Sequence, residues 1–513
     1  MKKALKSFIA VIMSLLLCMG TFVGCVDTDD IPQTASDVAL KFWSSGLGDV
    51  GITAAVNAYN SKQSTYKVWL DPYAASNSGV NFGSSDIDTN DLYMMGVSQS
   101  TEQLFLEYGE PLNDILEHSV EGETGKIKDK FPAYYLDAVK SSDGNYYKLS
   151  MGGGNYGLVY NTSIIDGSTY TVPTTTIELQ ELAMMLYDDE NAPPAFMNTN
   201  EAGDYWSAIY IQWQVQYDGI EYYNKTFRTL TDGNGNGPSK EILTKDDGRK
   251  MALIELSKFL TPDYSYPSLD ETYTNAQTLF LNGKSAMMPN GTWLLNEMGS
   301  DKTNFAMMKI PVISSIIDKC PNVEDDYELR ALIKAIDAVN EKSAVALTGD
   351  GYSVEQADLD KVWEARTLQY SNYDVHAAFI PKYSNAIDGA KDFLKYLYSD
   401  EGMTVYWNAS KASQIYSLSG GRKPDMTGWS DWQKSAQERV YNTTSFFEYT
   451  PNISPIFYKG GATPYANGAI YITDAFATKS STDRKTAEQV WDIIKGYHNS
   501  TWDRYVSMAG LSK

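Results

Sequence analysis

The residues of this chain that could do chemistry form three sets: oxygen ligands at metal-binding spacing, a pair of carboxylates, and scattered tryptophans. Thr231–Glu241 reads TDGNGNGPSKE. Asp232, Asn234 and Asn236 stand at positions 1, 3 and 5 of an EF-hand-like loop, with Gly237 at position 6 and the Pro238 carbonyl at position 7. Leu243 occupies position 12, where a bidentate Glu is usual, so Glu241 would have to substitute for it. A Gly/Asn-rich surface turn is the alternative reading. Glu201 and Asp204 could form an acid/base pair of the kind that cleaves glycosides. Their spacing joins them only on a helix, and Gly203 opposes one. The chain has 37 Tyr, 11 Trp and 17 Phe. Tyr and Trp combine a flat apolar face with a polar handle, which suits sugars, although a large core accounts for most of them. His118, His376 and His498 lie far apart, leaving little from which to build a zinc site or a His-based triad.

Cys25 carries chemistry of another kind. Met1–Lys6 holds three lysines, Phe8–Val23 is mostly apolar, and Phe22-Val23-Gly24-Cys25 precedes the polar Asp27-Thr28-Asp29-Asp30. A basic start, a short apolar run and a small residue before the break predict a secretory signal peptide over 1–24. With Cys25 at the first mature position, the segment resembles the lipobox of bacterial lipoproteins. There the thiol is acylated, as with palmitate, and holds the protein on the extracytoplasmic face of the cell membrane. Phe22 stands where Leu is usual. An uncleaved anchor is the alternative, but sixteen residues are short for about 30 Å of hydrocarbon. Residues 25–36 then form a polar tether.

A length of 513 residues predicts two or three domains. The net charge of −23 becomes more negative once the leader lysines are removed. It argues against nucleic acid, whose phosphates require clustered Lys and Arg. No second run of eighteen apolar residues follows the leader. With Cys18 in the leader and Cys25 as anchor, Cys320 has no intramolecular partner, and the fold does without disulfides.

The elements that must position these groups begin with a strand at Val38–Trp43. A helix then carries Ile52, Ala55, Val56 and Tyr59 on one face, and a second strand covers Tyr66–Leu70. Strand–helix–strand at this spacing predicts an α/β lobe with parallel strands. Ligands of such sheets bind beyond the carboxyl ends of strands, which puts Trp43, Ser44 and Ser45 at a site. Gly152–Gly154 gives the backbone unusual freedom, as a hinge or a close ligand approach requires. Helices are expected at Gln180–Tyr187, Trp206–Tyr217, Met251–Leu260 and Thr274–Leu281. Ser285–Met288 reads as a short strand and Pro289-Asn290-Gly291 as a turn. Thr292 then caps a helix with Trp293 in its first turn. Residues 314–374 differ in character and read as an insertion, after which Ala378–Pro381 resumes as a strand.

Several segments together resemble the family 1 extracellular solute-binding proteins of ABC importers, the maltose-binding-protein-like group. They are LKFWSSG, DGNYYKLSMGGGNYGLVYN, FMNTNEAGDYW, LFLNGKSAMMPNGTW, FAMMKIPV and FIPKYSN-AIDGAKDFLKYLYSDEG, in family order. The resemblance implies a two-lobed α/β fold of the type II periplasmic-binding-protein kind, each lobe a mixed sheet flanked by helices, with ligand held in the cleft between. It places lobe one at 37–152 and 375–400, and lobe two at 153–313 and 401–513. The 314–374 insertion falls at a crossover, a departure from the family pattern.

The family's cleft positions map to Trp43, Ser44, Ser45, Met95–Ser98, Gly154, Asn155, Glu201, Asp204, Trp206, Trp293 and Tyr465. Met95 stands where maltose binders carry a Trp, which argues against maltose itself. Some members carry a calcium loop like Thr231–Glu241. The implied function is capture of a carbohydrate, an oligosaccharide, by a lipid-anchored monomer that delivers it to permease subunits, with no catalytic residues and no required cofactor. A peptide, polyamine or sugar-acid ligand is the alternative, and a carbohydrate-active enzyme a more distant one.

Overall fold

The computed structural model describes residues 37–42, 48–70, 90–95, 102–152, 154–200, 205–232, 235–297, 303–372, 376–441, 443–446, 453–463 and 470–511. The expectations for Cys25, Trp43, Ser44, Ser45, Ser98, Glu201, Asp204, Asn234 and Tyr465 lie outside these residues, as does the side chain of Met95. Among the described residues, beside a small two-stranded sheet, two five-stranded sheets organise the chain. Their strands are β1 (Asp37–Phe42), β2 (Lys67–Leu70), β3 (Leu92–Met95), β4 (Leu149–Ser150), β5 (Gly154–Asn161), β6 (Met287–Gly291), β7 (Phe305–Met308), β8 (Leu368–Asn372), β9 (Ala377–Phe379) and β10 (Thr444–Phe446).

The first sheet has the order β2-β1-β3-β9-β4. β1 runs parallel to β2 and β3, while β9 runs antiparallel to β3 and β4. Between β1 and β2, helix α1 (Val50–Lys62) buries Ile52, Ala55, Val56 and Tyr59, the spacing that puts four side chains on one face. Helix α2 (Ala133–Val139) precedes β4. The second sheet has the order β10-β8-β5-β6, with β7 also paired to β5. Helix α3 (Trp206–Asp218) runs through that lobe with residues Ala208–Gln216 all buried. A short helix α4 (Leu294–Glu297) follows β6.

Three findings differ from the sequence expectation. Pro289-Asn290-Gly291 is strand, not turn: Leu158 pairs with Pro289, Gly157 with Asn290 and Tyr156 with Gly291. β6 lies at the end of the strand order, and an edge strand tolerates the donor that proline lacks.

Residues 314–374 form no separate unit. Helices α5 (Asp326–Asp337) and α6 (Gln356–Thr367) bury Leu329, Leu332, Ile333, Leu359 and Val362 in one core with Leu158 and Trp213. The segment ends in β8, an inner strand of the second sheet. An amphipathic helix must bury its apolar face somewhere, and here the second lobe receives it.

The boundary at 400/401 also moves. Helix α7 (Ile387–Leu397) is followed by α8 (Asp400–Ser410), and Met403, Tyr406, Trp407, Ile415, Tyr416 and Leu418 belong to the first core with Leu40 and Ile52. Gly51 permits that packing, since a Cβ there would stand 2.9 Å from Ser410 Cβ. Helix α9 (Asp431–Tyr441) then packs on β7, and the Met307 N–H donates to Ser435 Oγ at 3.0 Å.

Candidate functional site

The first passage between the sheets is the short stretch from β4 to β5. The Met151 N–H donates to the His376 carbonyl at 2.9 Å, and the Tyr416 hydroxyl donates to the Met151 carbonyl at 2.6 Å. His376 is buried, 4.7 Å from the Phe42 ring, with Nδ1 3.0 Å from the Tyr406 hydroxyl. The end of β1, the start of β9 and the passage into β5 therefore meet at one place.

Immediately beyond this passage, Gly154 and Gly291 lie on adjacent strands. A Cβ on either would overlap the six-membered ring of Trp293. The two glycines thus form a floor on which the indole rests. Tyr156 stands edge-on to Trp293 at 5.0 Å and Tyr205 lies 5.5 Å away, with Tyr273 5.0 Å beyond Tyr205. Tyr370 stacks on Tyr156 at 5.2 Å. Tyr156, Tyr205 and Trp293 are all half-buried. Burial is the main cause that raises the Tyr205 phenol above its ordinary pKa, so the group is a neutral hydroxyl.

This aromatic group sits where the lobes meet. Trp293 packs on Ala412, in the segment that leaves α8 for the second lobe. A Cβ on Gly48, just before α1, would stand 3.7 Å from Asn296 of α4. Gly48 of the first lobe and α4, which follows the Trp293 platform, therefore face one another.

Other expected site residues are placed differently. Trp206 is fully buried, donating from Nε1 to Asn198 Oδ1 at 2.7 Å and packed against Phe196 and Phe259. It is a core residue and not a cleft residue: at the first turn of a helix buried all round, its side chain has no route to solvent. Asn155 is buried, and its Oδ1 accepts from Ser371 Oγ at 2.6 Å. Ser371 lies 3.2 Å from Ser445, which bonds Tyr134 of α2. Asn155 thus heads a polar chain between the lobes. The Thr292 hydroxyl oxygen accepts the Asn155 N–H at 3.1 Å, and α4 begins two residues later at Leu294.

Tyr156 and Tyr205 were not singled out from the sequence. The strand period offered a signal for Tyr156, because residues two apart share a face and Gly154 was already in view. Tyr205 adjoins the expected Trp206 and exchanges roles with it.

In the Thr231–Glu241 loop, both Asp232 oxygens accept from Asn236, through N at 3.1 Å and Nδ2 at 2.9 Å. Glu241 accepts from Ser239 Oγ, and Gly237–Pro238 is cis. These are hard oxygen donors of the kind calcium takes, and an ion there would exchange places with those hydrogen bonds. Among the described residues, no cluster of three or more His, Cys, Asp or Glu is arranged as a metal site.

Residues 50–404 match the bacterial extracellular solute-binding protein family. This chain belongs to that family. Its overall shape is similar to several solved solute-binding proteins. RafE in complex with raffinose is 13% identical at a TM-score of 0.58, with 91% of this chain and 99% of RafE covered. The GacH receptor of Streptomyces glaucescens, solved with acarbose, is 13% identical at a TM-score of 0.54, covering 91% and 98%. BlMnBP1, an ABC-transporter binding protein from Bifidobacterium animalis subsp. lactis solved with mannobiose, is 14% identical at 0.53, covering 93% and 98%. At such identities the likeness concerns the fold, and the fold is the expected α/β solute-binding one. Among the described residues, no helix is long and apolar enough to cross a membrane.

Proposed function

We propose that this solute-binding protein captures a neutral oligosaccharide at the Trp293 platform and delivers it to the permease of an ABC importer. The observation that carries the reading is the half-buried indole resting on Gly154 and Gly291 at the junction of the lobes, with Tyr156 and Tyr205 at its edges. Stacking a pyranose on an indole removes about 100 Å² of apolar surface from water, worth about 2.5 kcal/mol. Micromolar binding requires about 8 kcal/mol, so further aromatic faces and hydroxyl partners must converge when the lobes close. The raffinose, acarbose and mannobiose complexes of its structural relatives support a sugar ligand. The protein then acts by binding and closure, without catalysis. A lipid on Cys25 would hold it beside the permease, with the eleven residues 26–36 beyond it reaching at most about 35–40 Å.

The test is titration of the purified chain with an oligosaccharide panel, read by intrinsic tryptophan fluorescence and calorimetry. A sugar that quenches or shifts the fluorescence with a saturable isotherm is expected. A panel without response, together with binding of a peptide or polyamine, would overturn the ligand class. Calcium in the Asp232–Glu241 loop is a separate proposal: EGTA should lower the melting temperature and added Ca²⁺ restore it, and an unchanged melt refutes it.

A further inference from the structure

Strands β7 and β8 lie end to end along one edge of β5. β7 pairs with Leu158–Asn161, and β8 pairs with Gly154 and Asn155. Between them the Gln369 side chain replaces a ladder bond, donating from Nε2 to the Tyr156 carbonyl at 2.7 Å. Lys309 stands where the chain leaves β7, and Arg366 stands two residues before it enters β8. Both converge on Asp337 at the end of α5. Lys309 Nζ lies 2.7 Å from Oδ1, Arg366 Nε lies 3.1 Å from each oxygen, and Arg366 Nη2 lies 2.6 Å from Oδ2.

Arg439, on α9 over the same strands, is a third cation in the group. It interacts electrostatically with Arg366, Asp337 and Lys309. Three cations therefore face one carboxylate inside the cluster, Asp337, and a second at its surface, Glu438, in a chain with a net charge of −23. The other titratable groups nearby are Glu438, which is exposed on α9, the half-buried phenol of Tyr160, and Asp431, which acts on that phenol from the start of α9. Burial, and then Arg366, depress the Arg439 guanidinium to about 10.

Donors are left over as well. Arg366 Nη1 and Arg439 Nε and Nη1 are buried without a hydrogen-bond partner. A buried donor without an acceptor is costly, and a charged one more so. Solvent nevertheless reaches the group, because the Lys309 and Asp337 side chains are 25% and 28% exposed while Arg366 is 6% exposed. Surplus positive charge and orphaned guanidinium donors call for the same partner, an anion with several acceptor oxygens.

We propose that Lys309, Arg366 and Arg439 form a binding site for a small inorganic oxyanion, phosphate or sulfate, at the seam between β7 and β8. Guanidinium forks match such oxygens in pairs. A neutral sugar would leave the charge uncompensated, and a metal cation would add to it. Asp337 holds two of the cations in place, and the anion ties α9 to the seam. The site is separate from the Trp293 platform and stands or falls independently of the solute bound there.

The test is thermal unfolding of the purified chain in chloride, phosphate and sulfate at matched pH and ionic strength. A saturable rise in Tm of a few degrees with phosphate or sulfate over chloride is expected. Equal Tm in all three salts at every concentration overturns the proposal. Arg439→Gln should abolish the oxyanion response, and a response that survives it overturns the placement. If that variant does not fold, Lys309→Gln at the exposed rim should shift the phosphate midpoint about tenfold, the effect of losing one charge-assisted contact. An unchanged midpoint in Lys309→Gln refutes the site.

Discussion

Around Trp206 the second lobe is a packed interior, and around Trp293 it is a platform. Both indoles sit at the N-terminal end of a helix and both have aromatic neighbours. Trp206 has its ring nitrogen bonded to Asn198, has Phe196 and Phe259 packed against it, and is fully buried. Trp293 rests on two glycines, meets Tyr156 and Tyr205 at its edges, and stays half-buried. The difference lies in what each neighbouring strand omits. Side chains fill the space about Trp206, whereas β5 and β6 present glycine beneath Trp293, so the ring lies flat with area left to offer a ligand. An aromatic residue becomes a binding surface when its neighbours leave room for it.

That comparison can be broken by experiment, most severely at Trp206. Trp206→Ala should cost about 3–5 kcal/mol of stability, as removal of a large core aromatic does, measured by chemical denaturation. The fraction that remains folded should bind the ligand with unchanged affinity. Lost affinity in the folded fraction would return Trp206 to the cleft.

Trp293→Ala should reverse the pattern. Affinity should fall by roughly fiftyfold or more, the equivalent of about 2.5 kcal/mol of stacking, with a smaller loss of stability. Gly291→Ala sharpens the point. Its Cβ would overlap the indole, so the ring must tilt, and affinity should fall although no ligand contact has been removed. If Gly291→Ala binds as well as wild type, the flat floor has no functional role.

The smallest expected effect lies at the far end of α3, in the packed region. The Asp218 carboxyl is raised from 3.8 to about 7, by burial first and then by Asp247, while the Gly248 N–H and Arg249 oppose the shift. The folded state therefore holds this proton more tightly than the unfolded chain does. Stability from Asp218 is fully present below pH 3.8 and is lost as the pH rises through about 7. Asp218→Asn should flatten the decline in Tm across that window and leave ligand affinity alone. An unchanged pH profile would refute the assignment.

Local elements were legible because their causes are local. Ile52, Ala55, Val56 and Tyr59 carry the helical period of α1 and are its buried face. The helix expected over Thr274–Leu281 is present as Tyr273–Leu281. Gly154 and Trp293 could be marked as candidate site residues from a glycine run and a strand-to-helix junction, and the structure places the two side by side. Where local signal and partner disagreed, the partner won. Pro289 and Gly291 carry turn chemistry, yet pairing with β5 holds them extended.

Trp206 and Tyr205 show the same limit at a candidate site. They are adjacent in sequence and chemically alike, and only the axis of α3 decides which ring enters the core. The cluster of Lys309, Asp337, Arg366 and Arg439 was illegible for a related reason. Its members span 131 residues and carry no spacing, because a seam between two strands brings them together rather than one helix or loop.

The sequence by itself determined the faces of the amphipathic helices, the α/β class, the acidic net charge, and the family to which the chain belongs. Each of these depends on neighbours within a few residues or on composition. The tertiary structure decided which lobe receives α8 and the 314–374 helices, which tryptophan is core and which is platform, and where uncompensated cations gather. Those outcomes depend on burial and on charges meeting across the fold, and both arise only when segments far apart in the chain share one low-dielectric interior.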